Sequence, residues 1–111
     1  MPSNATLNGI HFMLPTPFSA GGAVDPKPYD RLVGAAARAG CRGVVCLGVM
    51  GEAHRLTDAE RSEVMHAVIS AAGAHRRNGL GLTVTVGISS ESNRVAASRA
   101  REAEAAGATA V

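Results

Sequence analysis

A short loop between two predicted elements carries the pattern in this sequence that most favours binding chemistry. It reads Gly48-Val49-Met50-Gly51-Glu52. Two glycines separated by two residues let the backbone turn tightly and leave successive amides able to face an anion such as a carboxylate. The pattern therefore predicts a cradle for a carboxylated substrate, although an ordinary turn between a strand and a helix has the same spacing. Beside such a cradle, Glu52 is expected to form structural hydrogen bonds and not to act as a base.

Other residue types that could do chemistry are weaker candidates. The chain has four histidines and two cysteines: His11, His54, His66, His75, Cys41 and Cys46. Their spacing does not match a metal site, so we expect no metal and no cofactor. His54 follows the glycine loop and could line the mouth of a pocket, and Thr16 and Thr85 are possible pocket hydroxyls. Ser89 and Ser90 have no paired histidine and are interpreted as loop and cap residues.

Alternating strands and helices must position these groups. Apolar runs predict strands at residues 10–14, 44–47 and 82–86, and residues 108–111 begin a fourth. Asp25-Pro26 is expected to open the first helix, with Asp25 as its cap and Gly40 as its stop. Thr57 and Glu60 predict a capping box for the second helix. Ser92 is predicted to cap the third helix, which ends near Gly107.

The fold class follows from this order of elements. Each strand and helix together take about 30–35 residues, the size of a βα repeat. About three such units plus the start of a fourth strand predict the N-terminal part of a TIM (β/α)8 barrel, which needs about 250 residues in full. We therefore expect residues 1–111 to be a single partial domain, truncated at Val111, with a flexible N-terminus over residues 1–8. Active sites of such barrels lie at the C-terminal ends of the strands, here residues 15–18, 48–54 and 87–91.

Several short motifs occur along the chain in one order. They are Leu14-Pro15-Thr16-Pro17-Phe18, Val24-Asp25, Gly43-Val44-Val45, Gly48-x-x-Gly51-Glu52 and Leu56-Thr57-x-x-Glu60-Arg61. This ordered set is similar to the N-terminal signature of the dihydrodipicolinate synthase and N-acetylneuraminate lyase family. Ala106-Gly107-Ala108 before a strand also matches that family. The resemblance covers nearly the whole chain, from Gly9 onward.

The resemblance implies a pyruvate-dependent Schiff-base lyase or aldolase. In relatives the Gly-x-x-Gly-Glu loop binds the carboxylate of pyruvate, which assigns substrate binding here to Gly48, Val49, Met50, Gly51 and Glu52. The two central residues commonly bear hydroxyls, and one hydroxyl joins a proton relay in the synthases. The backbone amides remain, so binding of a 2-oxo acid is still expected. The missing hydroxyl argues against a plain dihydrodipicolinate synthase and favours a divergent aldolase, hydratase or lyase.

The resemblance also implies that the catalytic groups lie elsewhere. Members of the family form an imine on a lysine of a later strand and move protons with a tyrosine. We expect both beyond Val111, so that this chain holds no catalytic residue and is inactive alone. Lys27, the single lysine, stands between two prolines on a solvated edge, and Tyr29 lies on a helix face suited to packing. The resemblance further implies that the full-length parent forms a homo-oligomer, namely a tetramer.

Composition excludes several classes of partner. Hydrophobic residues make up 46% and charged residues 18%, and the net charge of +2 comes without a basic run, so nucleic-acid binding is not expected. No apolar run approaches the roughly 18 residues of a membrane span. The first residues lack the features of a signal peptide, which predicts a cytoplasmic protein. Cys41 and Cys46 are accordingly expected to be buried thiols.

Two other interpretations remain open from the residues. One is a non-catalytic short βα-repeat protein that is stable only when it self-associates or docks on a partner. Its strand edges would be open and its sheet half-covered, so it would need such a contact. The other is a phosphate-binding barrel with a different chemistry, whose binding loops would follow later in the chain.

Overall fold

The computed structural model of the chain describes residues 7–77 and 79–111. The flexible N-terminus expected over residues 1–8 falls largely on residues 1–6, which lie outside the described residues. In chain order the elements are β1 (His11–Met13), α1 (Tyr29–Arg38), β2 (Gly43–Cys46), α2 (Asp58–Ala74), β3 (Arg76–Arg77), β4 (Leu80–Gly81), β5 (Thr83–Val86) and α3 (Asn93–Ala106). A 3-10 helix, Ala53–Arg55, stands between β2 and α2.

A parallel sheet carries the fold, with its strands in the order β1, β2, β5. His11 lies opposite Gly43, and Gly43 lies opposite Thr83. A fourth strand begins where predicted, because Ala110 forms a parallel bridge to Thr85 and its carbonyl accepts from the amide of Val86 at 3.0 Å. Each crossover between parallel strands contains a helix, as βα units require.

Only one face of this sheet is covered within the described residues. Val44, Cys46, Val84 and Val86 are 0–3% exposed and join the core formed with α1 and α2. Residues of the opposite parity, such as Val45 and the threonines of β5, are half-buried. A continuous apolar run such as that of β2 is typical of a strand covered on both faces, and here the described residues cover the helical face alone.

The helix ends confirm most of the predicted caps. The Thr57 side chain accepts from the Glu60 amide, and the Glu60 side chain accepts from the Thr57 amide, which completes the capping box of α2. Ser92 accepts from the amide of Val95 at the start of α3. Gly107 ends α3 in the left-handed region with φ of 100°, where a side chain would be strained.

The predicted start of α1 is wrong. The Asp25 carboxylate accepts from the Lys27 amide at 3.1 Å, which closes a local turn and does not cap the helix. The helix begins at Tyr29 after Pro28, which has no side-chain cap. A short antiparallel hairpin of β3 and β4, which no pattern in the sequence predicted, follows α2.

Both cysteines are free and buried, as expected. Cys46 is completely inaccessible on the covered face of β2, and Cys41 is 7% exposed. In the part of the chain that the structure describes, no helix is long and apolar enough to cross a membrane.

Candidate functional site

The loop at residues 48–52 is a tight, doubly hydrogen-bonded turn at the C-terminal end of β2. The Gly51 amide donates to the Gly48 carbonyl at 3.1 Å, and the Glu52 amide donates to the Val49 carbonyl at 3.0 Å. Leu47 and Glu52, which bracket the turn, both adopt positive φ, 58° and 53°. Such conformations are uncommon for residues other than glycine and are held only where the surroundings fix them.

A buried hydroxyl from the loop after β1 fixes this turn. Thr16 is 5% exposed and donates to the Gly51 carbonyl at 2.6 Å. Tyr29 is 1% exposed and donates to the neighbouring Pro15 carbonyl at 3.0 Å, so α1 anchors the same segment. Burial raises the pKa of the Tyr29 hydroxyl, while the nearby Thr16 hydroxyl acts in the opposite direction. Tyr29 therefore has the packing role that the sequence predicted for it.

The loop after β5 closes on the turn from the other side. The Gly87 amide donates to the Cys46 carbonyl at 2.8 Å. A Cβ at Gly87 would stand 2.0 Å from the Leu47 carbonyl oxygen and 3.2 Å from the Gly48 nitrogen, so no side chain fits there. The three loops expected to meet at the C-terminal edge of the sheet therefore do meet.

Arg61 holds this third loop; in the sequence it stood only as the last residue of a motif, with no role assigned to it. Its guanidinium donates through Nη2 to the Gly87 carbonyl at 2.9 Å, and the residue is only 7% exposed. Arg61 precedes Val64 by three positions and so lies on the apolar stripe of α2, where a charged residue needs a buried partner. The position of Arg61 on this apolar stripe is the sequence feature that could have indicated a buried role for it. Burial, followed by the nearby charge of Arg99, lowers the pKa of the Arg61 guanidinium.

Backbone donors remain free in the turn. Within the described residues, the amides of Gly48, Val49 and Met50 donate to no acceptor. The side chains of Val49 and Met50 are 85% and 62% exposed. Consecutive unpaired amides in a turn of fixed shape are the donors that a carboxylate requires. The arrangement is chemically suited to hold an anion and offers no side-chain hydroxyl at its two central positions.

The Glu52 carboxylate is occupied by a local contact. It accepts from Arg55 Nη1 at 3.1 Å, with 41% of the Glu52 side chain exposed. An exposed pair of this kind contributes little to stability. The contact agrees with the interpretation of Glu52 as a structural hydrogen-bonding residue.

The remaining candidates lie outside this cluster of loops or serve its scaffold. Lys27 is exposed in the turn before α1, and His54 is exposed in the 3-10 helix. The Ser90 hydroxyl accepts from the Ser92 amide at 3.1 Å, and the Ser89 carbonyl accepts from an arginine of α3, so both serve the loop. Thr85 lies half-buried on the uncovered face of the sheet, beside the fourth strand.

The thiol of Cys46 lies beneath the site but is unreactive. Burial raises the pKa of the Cys46 thiol from 9.0 to about 12, which leaves it protonated at neutral pH. Across the described segments, no three His, Cys, Asp or Glu side chains are grouped so as to hold a metal ion.

Comparison with known proteins gives a consistent result. The model of the dihydrodipicolinate synthetase family matches residues 6–111. The 4-hydroxy-tetrahydrodipicolinate synthase of Stenotrophomonas maltophilia is 36% identical over 94 residues, which cover 83% of this chain and 32% of that protein. The chain thus spans about a third of the length of this relative.

Solved structures show the same relationship. Dihydrodipicolinate synthase from Rhodopseudomonas palustris superposes with a TM-score of 0.77 at 34% identity, over 88% of this chain and 30% of that one. The chloride-inhibited dihydrodipicolinate synthase from Acinetobacter baumannii, complexed with pyruvate, superposes with a TM-score of 0.79 at 26% identity, over 90% and 33%. These matches confirm the predicted fold class, the N-terminal part of a TIM barrel.

Proposed function

Because the chain belongs to the dihydrodipicolinate synthetase family, we propose that it is the N-terminal part of a pyruvate-dependent Schiff-base lyase or aldolase. In this proposal the 48–52 loop binds the carboxylate of pyruvate or a similar 2-oxo acid. The observation that carries the proposal is the set of three amides, of Gly48, Val49 and Met50, that donate to no acceptor among the described residues, in a turn that Thr16 holds in shape.

The chemistry of the loop limits what it contributes. Amides aimed at a carboxylate bind and orient the substrate, and orientation is a substantial part of catalysis. No side chain at the two central positions can relay a proton, because Val49 and Met50 have no ionisable group or hydroxyl. We therefore propose a divergent member that moves protons by another route, with its imine-forming lysine and its shuttle tyrosine beyond Val111.

Borohydride trapping with pyruvate tests this division of labour. The chain has one lysine, Lys27, exposed in the turn before α1. A nucleophilic lysine needs a pocket that lowers its pKa. We expect no reduced pyruvate adduct on the 111-residue chain, and one adduct on any longer product of the gene that contains the rest of the barrel. Stoichiometric labelling of Lys27 would contradict the proposal.

Met50→Thr tests the role of the amides. This variant introduces the hydroxyl common in the family and leaves the backbone amide in place. We expect pyruvate affinity to stay as it is, whereas proton transfer in the longer product should change. A large loss of pyruvate affinity in Met50→Thr would mean that the Met50 side chain, and not the backbone, carries the binding.

The proposal extends to the assembly and location of the parent protein. We propose a cytoplasmic homotetramer, on the strength of the family alone. One solved family member is described as a monomeric variant of dihydrodipicolinate synthase, at 24% identity, so the assembly has to be measured on this protein.

A second candidate is a non-catalytic protein that self-associates or docks on a partner. Two exposed apolar residues favour it: Ile10, just before edge strand β1, and Phe12 within that strand, 71% and 42% accessible. Sedimentation of the 111-residue chain separates the two candidates. A discrete complex of defined size that lacks any affinity for pyruvate would favour the second.

A further inference from the structure

The side chain of Met13, at the end of β1, lies against the backbone of the candidate site. A Cβ at Gly48 would stand 3.3 Å from the Met13 sulfur and 3.4 Å from its terminal methyl carbon. Apart from the chain neighbours of Gly48, the three atoms nearest to that position all belong to Met13. Gly48 carries one of the three amides that donate to no acceptor among the described residues. The thioether of Met13 therefore occupies the space beside the first donor of the 48–52 loop.

The strand register places Met13 in a row of side chains near the C-terminal edge of the sheet. Met13 lies opposite Val45 on β2, and Val45 lies opposite Thr85 on β5. Successive side chains of a strand alternate between faces, so these three share the face opposite to the buried Val44 and Val84. Neighbouring strands lie about 4.8 Å apart, so about 10 Å separates the backbones of Met13 and Thr85. The row is apolar on β1 and β2 and carries a hydroxyl on β5, so a ligand held at Gly48 meets its apolar end.

Met13 is available to a ligand because the core does not use it. It is 38% exposed and does not belong to the buried core of the described residues. Its side chain is flexible and apolar, and its sulfur is only a weak acceptor, so it offers dispersion contacts and no strong hydrogen bond. The Thr16 hydroxyl, which holds the turn, is 5% exposed and already donates to the Gly51 carbonyl. The surroundings of the Gly48 amide thus favour an apolar group beside the bound anion.

We propose that Met13 determines the specificity of the candidate site by packing against the C3 substituent of a bound 2-oxo acid. The inference rests on the function proposed above, in which the amides of the 48–52 loop bind the carboxylate. Only the keto carbon separates C3 from that carboxylate, so a group on C3 stays close to the donors and to Met13. The substrate class is a 2-oxo acid with an apolar C3 substituent, because a hydroxyl there would lose water without gaining a partner.

Two ligands of matched size test the proposal. 2-Oxobutanoate and hydroxypyruvate differ only in the group attached to C3, a methyl in the first and a hydroxyl in the second. NMR titrations of the 15N-labelled 111-residue chain, followed at the amides of Gly48, Val49 and Met50, give the affinity for each. Burial of a methyl-sized group is worth about fourfold in affinity, so we expect 2-oxobutanoate to bind about fourfold more tightly than hydroxypyruvate.

Variants at two adjacent positions assign the preference to one side chain. Met13→Ala removes the contact, whereas Met13→Leu keeps an apolar side chain of similar size. We expect the preference for 2-oxobutanoate to disappear in Met13→Ala and to persist in Met13→Leu. Phe12→Ala is the matched control, because Phe12 is similarly exposed, at 42%, and lies opposite Val44 on the other face of the sheet. This control should leave the preference unchanged.

Methionine methyl groups give a second and independent measurement. In a chain with 13C-labelled methionine methyls, the Met13 signal should shift on titration with 2-oxobutanoate and saturate with the same affinity as the loop amides. Met65 is 5% exposed within the core and is the internal reference, whose signal should not move. Saturation of the amides without any shift of the Met13 methyl would overturn the proposed contact.

The remaining outcomes separate this inference from the function on which it rests. Equal affinities for the two ligands in the wild type, or a preference that Met13→Ala retains, would overturn the role of Met13 and leave carboxylate binding intact. Tighter binding of hydroxypyruvate would also overturn it, and loss of that preference in Thr85→Val would assign the C3 substituent to Thr85. Absence of amide shifts with either ligand would contradict the carboxylate site itself, and this inference with it.

Discussion

Gly87→Ala is the substitution that tests most sharply how the three loops are held together. An added Cβ would stand 2.0 Å from the Leu47 carbonyl oxygen and 2.7 Å from its carbon, both backbone atoms that no rotamer change can move. The ends of β2 and β5 would have to separate. That movement strains the hydrogen bond from the Gly87 amide to Cys46 and the one that its carbonyl accepts from Arg61.

The magnitude follows from these contacts. Overpacking costs about 1–3 kcal/mol, and loss of a hydrogen bond to a charged group costs about 1.5–3 kcal/mol. We expect Gly87→Ala to lower the free energy of unfolding by about 3 kcal/mol. A domain of this size has a total of about 5–15 kcal/mol, so the loss should be evident in its unfolding transition.

The matched control is Gly73→Ala, the same chemical change in a different environment. Gly73 is exposed within α2, and a Cβ there would meet nothing within 4 Å. Alanine is favoured over glycine in a helix interior by about 0.5–1 kcal/mol, so this variant should be more stable than the wild type. Urea unfolding followed by circular dichroism measures both. Effects of the same sign, or a Gly87→Ala variant as stable as the wild type, would refute the packing argument.

Three further predictions concern the scaffold of the site. Thr16→Val should cost about 1–3 kcal/mol of stability, because it leaves the buried Gly51 carbonyl unpaired, whereas Thr16→Ser should retain most of it; urea unfolding measures both. Thr57→Ala should cost about 1 kcal/mol by removing the capping box, and Thr57→Ser should restore it in the same assay. Because burial raises the pKa of the Cys46 thiol to about 12, the unfolded chain loses this proton first. Stability should therefore fall as the pH rises from 9.0 towards 12, and native Cys46 should resist alkylation at pH 9.0 until urea is added; a Cys46→Ala variant with the same pH dependence would contradict the assignment.

Local patterns in the sequence predicted the local features well. Some features depend only on contacts within a few residues, so a short stretch of sequence is enough to predict them. These are the capping box at Thr57 and Glu60, the Ser92 cap and the Gly107 stop. The apolar runs of β2 and β5 likewise predicted the strands within one residue of their observed positions. The ordered set of motifs identified the family, which the comparisons confirmed.

Features that depend on distant contacts were harder to predict. The start of α1 was placed at Asp25 because a carboxylate before a proline has two local uses, a cap and a turn, and only the structure distinguishes them. Arg61 reaches Gly87 across 26 positions of sequence, and the left-handed backbone of Leu47 is imposed by its neighbours. Local signals mark only Arg61, through its place on an apolar stripe and at the end of the Leu56-Thr57-x-x-Glu60-Arg61 motif, and neither signal gives its contact with Gly87.

The central claim is that the amides of the 48–52 loop bind the carboxylate of a 2-oxo acid. An NMR titration of the 15N-labelled chain with pyruvate tests it directly, with the neutral ester methyl pyruvate as the control ligand. We predict saturable shifts at Gly48, Val49 and Met50 with pyruvate and none with the ester. Equal shifts with both ligands, or no shifts at these three amides, would contradict the claim.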